Sequence, residues 1–382
     1  MKIAKTYGII KYVEVRDSAT REVIGIIDTA QSIIWHSVYY GVGDFEVYIQ
    51  LNAQTMLLLQ VGNYITRTDN QECGIIEHIN ISNSREHGIM ITASGRFAKS
   101  ILDRRLIYNL SGTSNTPTIL RGNVETNIRS VVKDNAIDCT DTNRNMSALE
   151  LGAVAGIDKI IVDESGNAAQ KQVSYQNLLE YTDGVLEEYE MSSFVALNAE
   201  SQKLQYIVFE GIDRSEGNTS GNAPIIFSRD FDNLGDVDYT YDETAEKNTA
   251  LIGGEGEGTE RFYTLLSSGK SDLARKEMWV DASSLNKKYK DESDVEQTYT
   301  DTEYAGMLKA QGQQSMSKYN IIETMSGVID ITNGNFIYNR DFELGDIVTV
   351  QDTDIGKYIN VRIREITEVQ DENGYTIEAI YE

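Results

Sequence analysis

From Ile9 to Tyr108 the apolar residues fall in short β-branched or aromatic runs divided by polar turns, and this texture constrains the fold more than any other feature. Val23–Ile27, Phe45–Leu51, Tyr64–Arg67, Gly74–Ile81 and Ile89–Thr92 are each strand-sized, and side chains that alternate between two faces let such runs fill one buried face. The polar turn Asn83–Gly88 ends in glycine, which predicts a hairpin. Residues 1–109 therefore read as a first small antiparallel β-barrel or sandwich.

Helical spacing enters after the small-residue stretch Ser111–Pro117. Val124, Ile128, Val131 and Val132 follow i, i+4, i+7, i+8 behind a cap at Asn123, and Leu178, Leu179, Val185, Leu186 and Tyr189 mark a second amphipathic helix. Gly184 weakens that second helix by about 1 kcal/mol relative to alanine. With strands predicted at Lys159–Val162, Phe194–Asn198 and Leu204–Phe209, residues 110–233 read as a mixed α/β domain.

Residues 234–382 return to β texture, with strands predicted at Thr249–Ile252, Phe262–Leu266 and Glu277–Val280 and again from Ile321 onward. One helix, about residues 301–318, interrupts them. Thr300 and Glu303 have capping-box spacing, and Tyr304, Met307 and Leu308 begin its apolar face. Asn373 and Gly374 predict a two-residue hairpin. The two β regions also echo each other. Val61-Gly62-Asn63-Tyr64-Ile65-Thr66 matches Leu344-Gly345-Asp346-Ile347-Val348-Thr349 in residue type and order, and each stretch leads to another apolar strand, Ile76–Ile79 or Ile363–Ile366. Any two hairpins share a period of two, so the echo is open to two readings, coincidence or a second barrel like the first. The fold class expected is α+β and β-rich.

At 382 residues, and roughly 150 residues per domain, two or three domains are expected. The 34 Lys and Arg against 60 Asp and Glu give a formal net charge of -26, which excludes nucleic-acid binding through a general basic surface. The acids are spread along the chain and describe a whole surface. Cys73 and Cys139 are too few for a disulfide framework or a thiolate metal site, and Cys73 reads as a packed thiol. The Met1–Ile10 segment lacks a sustained apolar stretch, which argues for synthesis in a cytoplasm. Apolar stretches such as Met56–Leu59 are strand-sized, so no membrane insertion by this chain is expected.

Catalytic and metal motifs are sparse. His36, His78 and His87 form no HExxH pair, and Asp230–Asp238 starts like a calcium loop but has Leu234 at the fifth position and Tyr241 at the twelfth, where oxygen ligands are needed. The cluster Gly253, Gly254, Gly256 and Gly258 has no Walker lysine, and Glu255 and Glu257 would repel phosphate, so it reads as a flexible or tightly packed hairpin. No catalytic residue, cofactor or metal is expected. Arg104 and Arg105, a basic pair in an acidic chain, and Trp35 and Phe45 are the candidate interface residues.

Several stretches, taken in order, resemble the tail hub proteins of long-tailed bacteriophages, the family that includes the amino-terminal hub module of tail-associated lysins. They are Trp35 with Gly43–Glu46, Gly62–Thr66, Gly74–Glu77, Leu102–Ile107, Gly254–Arg261, Arg275–Ala282, Phe342–Thr349 and Glu372–Gly374. The resemblance implies a homotrimeric ring at the tail tip or baseplate of the virion, in which each subunit gives two similar barrels and adapts a sixfold tube or distal tail ring to a threefold tip. It implies as partners the distal tail protein, the tail tube, the tape measure protein and tip or fibre proteins, with DNA passing through the lumen without specific binding. Acidic side chains on that lumen would repel phosphates. The alternatives are a tail-associated peptidoglycan hydrolase and a carbohydrate-binding tail module, the latter resting on exposed tyrosines among the 22 present.

Overall fold

A computed structural model describes residues 9–85, 87–163, 166–290, 295–329 and 336–382. Most of Met1–Ile10 and residue 86 of the Asn83–Gly88 turn lie outside the described residues. The architecture is β-rich α+β. Its largest element is a ten-stranded sheet in which eight strands lie side by side in the order Leu234–Asp242, Ile322–Ile329, Gly374–Tyr381, Lys357–Asp371, Ser32–Val38, Asp44–Gln50, Gly88–Arg96 and His78–Ser84. Each neighbouring pair in that run is antiparallel.

The two β regions thus share one sheet, which the sequence alone does not show. Its seam is the pairing of Ser32–Val38 with Glu365–Asp371, in register from Val38↔Glu365 to Ser32↔Asp371. On the amino-terminal side a four-stranded sheet of Val23–Ile27, Val13–Arg16, Tyr64–Thr66 and Cys73–Ile75 packs over the large one and encloses Val13, Trp35, Phe45, Val47, Ile65 and Phe97. On the other side Ile226–Ser228 and Ile347–Asp352 close over Phe227, Met325, Val348, Ile366 and Tyr381. Each such fully buried aliphatic or aromatic side chain contributes about 1.5–3 kcal/mol relative to exposure.

The echoing stretches take the same geometry. Gly62 and Gly345 have φ of 92° and 91°, a region that favours glycine. Gly62 N–H donates to Ile76 O at 2.8 Å and Ile76 N–H to Asn63 O at 2.9 Å, while Gly345 N–H donates to Ile363 O at 3.0 Å and Ile363 N–H to Asp346 O at 2.9 Å. The side chains follow suit: Asn63 Oδ1 accepts from Ser18 N–H at 3.0 Å and Asp346 Oδ1 from Ile212 N–H at 2.7 Å.

Between the two β regions in sequence, helices Val124–Val132 and Leu178–Glu188 pack with the three-stranded sheet Leu149–Leu151, Lys203–Phe209 and Ser192–Asn198 around Ile128, Leu178, Val185 and Tyr206. Helix Val124–Val132 begins at the predicted Asn123, which accepts from Thr126 N–H, and helix Leu178–Glu188 begins at Asn177, a cap not named from the sequence, which accepts from Leu179 and Glu180 N–H. A fourth core, with Ile252, Leu266, Val280, Tyr304 and Leu308, joins helix Asp301–Met316 to the sheet of Tyr263–Ser267, Thr249–Gly253 and Glu277–Asp281. Thr300 and Glu303 form the expected capping box.

Three local expectations change. Gly74–Ile81 is two strands, Cys73–Ile75 and His78–Ser84, because the chain moves from the small sheet to the large one at Ile76 and Glu77. Lys159–Val162 makes only isolated bridges, at Asn123↔Ile160 and Val162↔Ala168. Met56–Leu58 belongs to the short helix Ala53–Leu58, started by an Asn52–Thr55 capping box that the strand reading overlooked.

Candidate functional site on the open face of the large sheet

One face of the eight-strand run packs on the cores, and among the described residues no further sheet or helix layer covers the other. Along Ser32–Val38 the buried positions Ile33, Trp35 and Ser37 alternate with partly open Ile34, His36 and Val38. Register carries the open rows outward through Asp44, Glu46 and Tyr48, and in the other direction through Glu365, Thr367 and Val369, then Thr376, Glu378 and Ile380, to Asp238 and Thr240. The face is acidic: Asp44, Glu46, Glu365, Glu378, Asp238 and Asp242 lie on it. Arg96, on the same rows, is engaged by Glu77 at 2.9 Å and by Asp103 at 3.6 Å. A carboxylate-lined surface of this kind repels polyanions.

At the seam His36 bridges the halves, its Nδ1 3.1 Å from Asp44 and its Nε2 2.9 Å from Glu365. Burial disfavours the charged ring, but hydrogen bonds to Glu365 and Asp44 outweigh it and raise the His36 pKa above its ordinary value. Behind the face lies a buried ionic knot. Arg67 reaches both oxygens of Glu368, 301 residues away in sequence, at 2.8 and 2.9 Å, and both oxygens of Asp69 at 3.0 and 2.7 Å. Its guanidinium lies 5.3 Å from the Trp35 ring centroid, and Tyr375 Oη donates to Glu368 at 2.8 Å. Burial would push Arg67 toward neutrality, and Glu368 and Asp69 more than offset that. Nearby, Glu72 is held by the Ser37 hydroxyl, and burial pushes its carboxyl up to about 7.

The family of siphovirus ReqiPepy6 Gp37-like proteins matches residues 12–381. The chain belongs to that family. No curated protein matches the sequence. Among solved structures, the tail protein from Neisseria meningitidis MC58 is similar with a TM-score of 0.56 at 12% identity, over 97% of this chain and 95% of that one. The 43 kDa tail protein of prophage MuSo2 from Shewanella oneidensis is similar with a TM-score of 0.54 at 12% identity, over 97% and 98%. At that identity the likeness is one of fold, and it extends over the whole length of both relatives.

This siphovirus-family chain places the four candidate interface residues differently from one another. Trp35 and Phe45 are corrected: they are 0% and 1% exposed, with ring centroids 6.0 Å apart, and they form the chain's own core behind the seam. A β-branched and aromatic run marks a buried strand face as readily as a contact surface, and here burial wins. Arg105 spends its guanidinium on the Arg144 carbonyl at 2.8 Å and the Arg104 carbonyl at 3.0 Å, while Arg104 is exposed. Sequence reasoning missed Arg67, Glu368 and His36, whose partners are set by register across the seam.

The other motifs resolve locally. Asp230–Asp238 is a 3₁₀ turn at Arg229–Phe231 running into the Leu234–Asp242 strand, with Arg229 3.0 Å from Asp354. Among the described residues no three His, Cys, Asp or Glu side chains converge to hold an ion. The glycine cluster packs tightly, since a Cβ on Gly254 would lie 2.6 Å from Tyr304 Oη. Cys73 is fully buried. No helix among the described residues is long and apolar enough to cross a membrane. A cleft of about 720 Å³ gathers Glu187, Glu188, Glu190 and Glu382. Glu188 is tied to Lys171, Glu190 to Arg362 and Glu382 to Arg364, while burial raises the Glu187 carboxyl.

Proposed function

We propose that this chain is the structural hub at the tip of a siphophage tail or related particle, a homotrimer whose large sheets join edge to edge around the DNA passage. The observation that carries this reading is the eight-strand antiparallel run with an open acidic face and, among the described residues, an unpaired edge at each end. An even number of antiparallel strands makes the two edges run in opposite directions. Rotation about an axis along the strands therefore brings His78–Ser84 of one copy antiparallel to Leu234–Asp242 of the next, which is the pairing a closed ring needs.

Both edges support that contact. Each leaves a large apolar residue half exposed on its core-facing side, Ile81 at 49% and Tyr241 at 53%, and neither strand holds a proline or a lysine to discourage pairing. Within each copy the two β regions serve as two similar barrel units, so three copies present six to a sixfold tube or distal tail ring. The middle α/β domain lies away from the passage, and Arg104 faces a neighbouring subunit. Carboxylates on the lumen side let DNA slide without adhering. Tube, distal tail, tape measure and tip proteins are its partners in this reading, and its function is assembly, not catalysis.

Quantitative mass spectrometry of purified tails, together with light scattering of the isolated chain, tests the proposal. Three copies per tail and a trimer that Ile81→Lys converts to a folded monomer are expected. Six copies, or a trimer indifferent to both Ile81→Lys and Tyr241→Lys, would overturn it. Peptidoglycan hydrolysis by the purified chain, lost on Glu187→Gln, would favour the hydrolase instead.

A further inference from the structure

A pocket of about 350 Å³ lies where both β regions meet the three-stranded sheet of Leu149–Leu151, Lys203–Phe209 and Ser192–Asn198. We propose that this pocket receives an apolar side chain, flanked by lysine or arginine, from another protein. Its floor is the face of that sheet turned away from the helices. Val195, Tyr206 and Val208 are buried with helices Val124–Val132 and Leu178–Glu188 in one core. Side chains alternate along a strand, so Phe194, Ile207 and Phe209 come out on the opposite face, with Phe194 and Ile207 directly paired. A face that reaches solvent ordinarily carries polar residues, and this one is apolar. Phe194 and Phe209 meet edge to face at 5.4 Å, and although Tyr39 covers one side of Phe209, both rings and Ile207 remain partly open.

The rim is set before anything binds. Val154 stands there 67% exposed, yet the loop that carries it is fixed on both sides. Arg129 donates to the Gly152 and Ala153 carbonyls at 2.7 and 3.1 Å. Glu125, 1% exposed, accepts from the N–H groups of Ala155, Gly156 and Ile157 at 2.7, 2.9 and 3.1 Å. An apolar group already held in place loses little freedom when a partner covers it. Charge then selects the partner. Asp69, Glu72 and Glu343 line the pocket and, among the described residues, no lysine or arginine does. Arg67 does not cancel them, because it is shared between Asp69 and Glu368, and Glu72 is held by the Ser37 hydroxyl. The pocket therefore attracts a cation beside the apolar group and repels an acidic segment. Its volume falls at the lower end of ligand sites, which suits a single anchoring side chain with its neighbour.

Neither edge strand of the large sheet lines the pocket, so its occupancy does not depend on the ring and can be tested without assembly. The full chain, labelled at its methyl groups, is titrated by NMR with the acetylated and amidated tetrapeptide Phe-Lys-Leu-Lys, and with the same peptide carrying glutamates for its lysines. Saturable shifts at the Val154, Ile207 and Leu344 methyls are expected with the lysine peptide, and binding about tenfold weaker with the glutamate peptide. Val154→Lys alters an exposed side chain, so it should leave the thermal midpoint in place and weaken the lysine peptide about tenfold. Lysine-peptide binding that survives both Val154→Lys and Glu343→Lys overturns the site. Equal binding of the two peptides overturns the selection by charge, and the absence of shifts with either overturns the proposal. Self-association of the chain that is lost in Val154→Lys would overturn it too, by giving the pocket to a second copy.

Discussion

The Gly62 and Gly345 turns share backbone and hydrogen bonds but differ in how their surroundings hold them. In the first, Asn63 accepts from Ser18 N–H and donates its Nδ2–H to the Leu58 carbonyl at 2.9 Å. In the second, Asp346 cannot donate, and its second oxygen takes Arg214 Nε at 2.8 Å and Glu343 N–H at 3.0 Å. A Cβ at Gly62 would meet nothing nearer than Ser18 at 3.7 Å, whereas at Gly345 it would run to 2.2 Å from the fully buried Tyr39 ring. The same chain path is thus built once in an open, neutral setting and once in a crowded, charged one. The lesson is that the path is set by a glycine at positive φ and an oxygen one residue later, and the rest can diverge.

The seam joining the two halves gives the largest test. Arg67→Ala leaves Glu368, 3% exposed, without its cation, and we expect a loss of about 3–5 kcal/mol in urea unfolding. A loss below about 1 kcal/mol would mean that the backbone ladder alone holds the halves together. Next comes the pair of turns. Gly62→Ala should cost about 1–2 kcal/mol through its backbone conformation. Gly345→Ala adds overpacking against Tyr39 and should cost about 2–5 kcal/mol in all. Equal losses would show that the crowding relaxes.

Much of the turn was legible in the sequence, because glycine, an amide or carboxylate and a branched run are local signals. Asn123 and Thr300 announced their helices for the same reason, since a cap is decided within three residues. The continuity of the large sheet was not legible. Ser32–Val38 finds Glu365–Asp371 across more than three hundred residues, and a period of two names no partner. Trp35 and Phe45 are a separate case, for they are buried by the first region's own small sheet together with Ile65 and Phe97, with the Arg67 guanidinium near the Trp35 ring, and a strand-sized apolar run does not say whether its partner is the same chain or another. The open acidic face was half visible, as an excess of carboxylates without an address.

A smaller effect follows from exchanging the chemistry of the two turns. Asn63→Asp places a buried carboxylate against the Leu58 carbonyl with no cation in contact, and should cost about 2–3 kcal/mol. Asp346→Asn keeps an acceptor for Ile212 but loses the charge facing Arg214, and should cost about 1–2 kcal/mol. Thermal unfolding of the two single variants ranks them. If Asp346→Asn is the costlier, the ion pair, and not the shared oxygen, anchors the second turn.

The smallest expected effect is a pH dependence that belongs to the seam and has no counterpart at either turn. His36 has its folded pKa raised above 6.5, so its contribution is fully present below 6.5 and is lost as pH rises through the folded value. Glu72 acts in the same direction over a lower window. Its folded carboxyl titrates at about 7 against 4.5 unfolded, so the folded state holds the extra proton in between and stability falls as pH rises across that range. In a Glu72→Gln background the remaining slope above 6.5 should come from His36, with an amplitude on the order of 1 kcal/mol or less for a partly exposed pair. Replacing His36 with glutamine in that background should flatten the slope. A slope that persists would place the titrating group elsewhere, and an NMR titration showing His36 at or below 6.5 would remove the clamp itself, because a ring nitrogen facing each carboxylate stabilises only the doubly protonated ring.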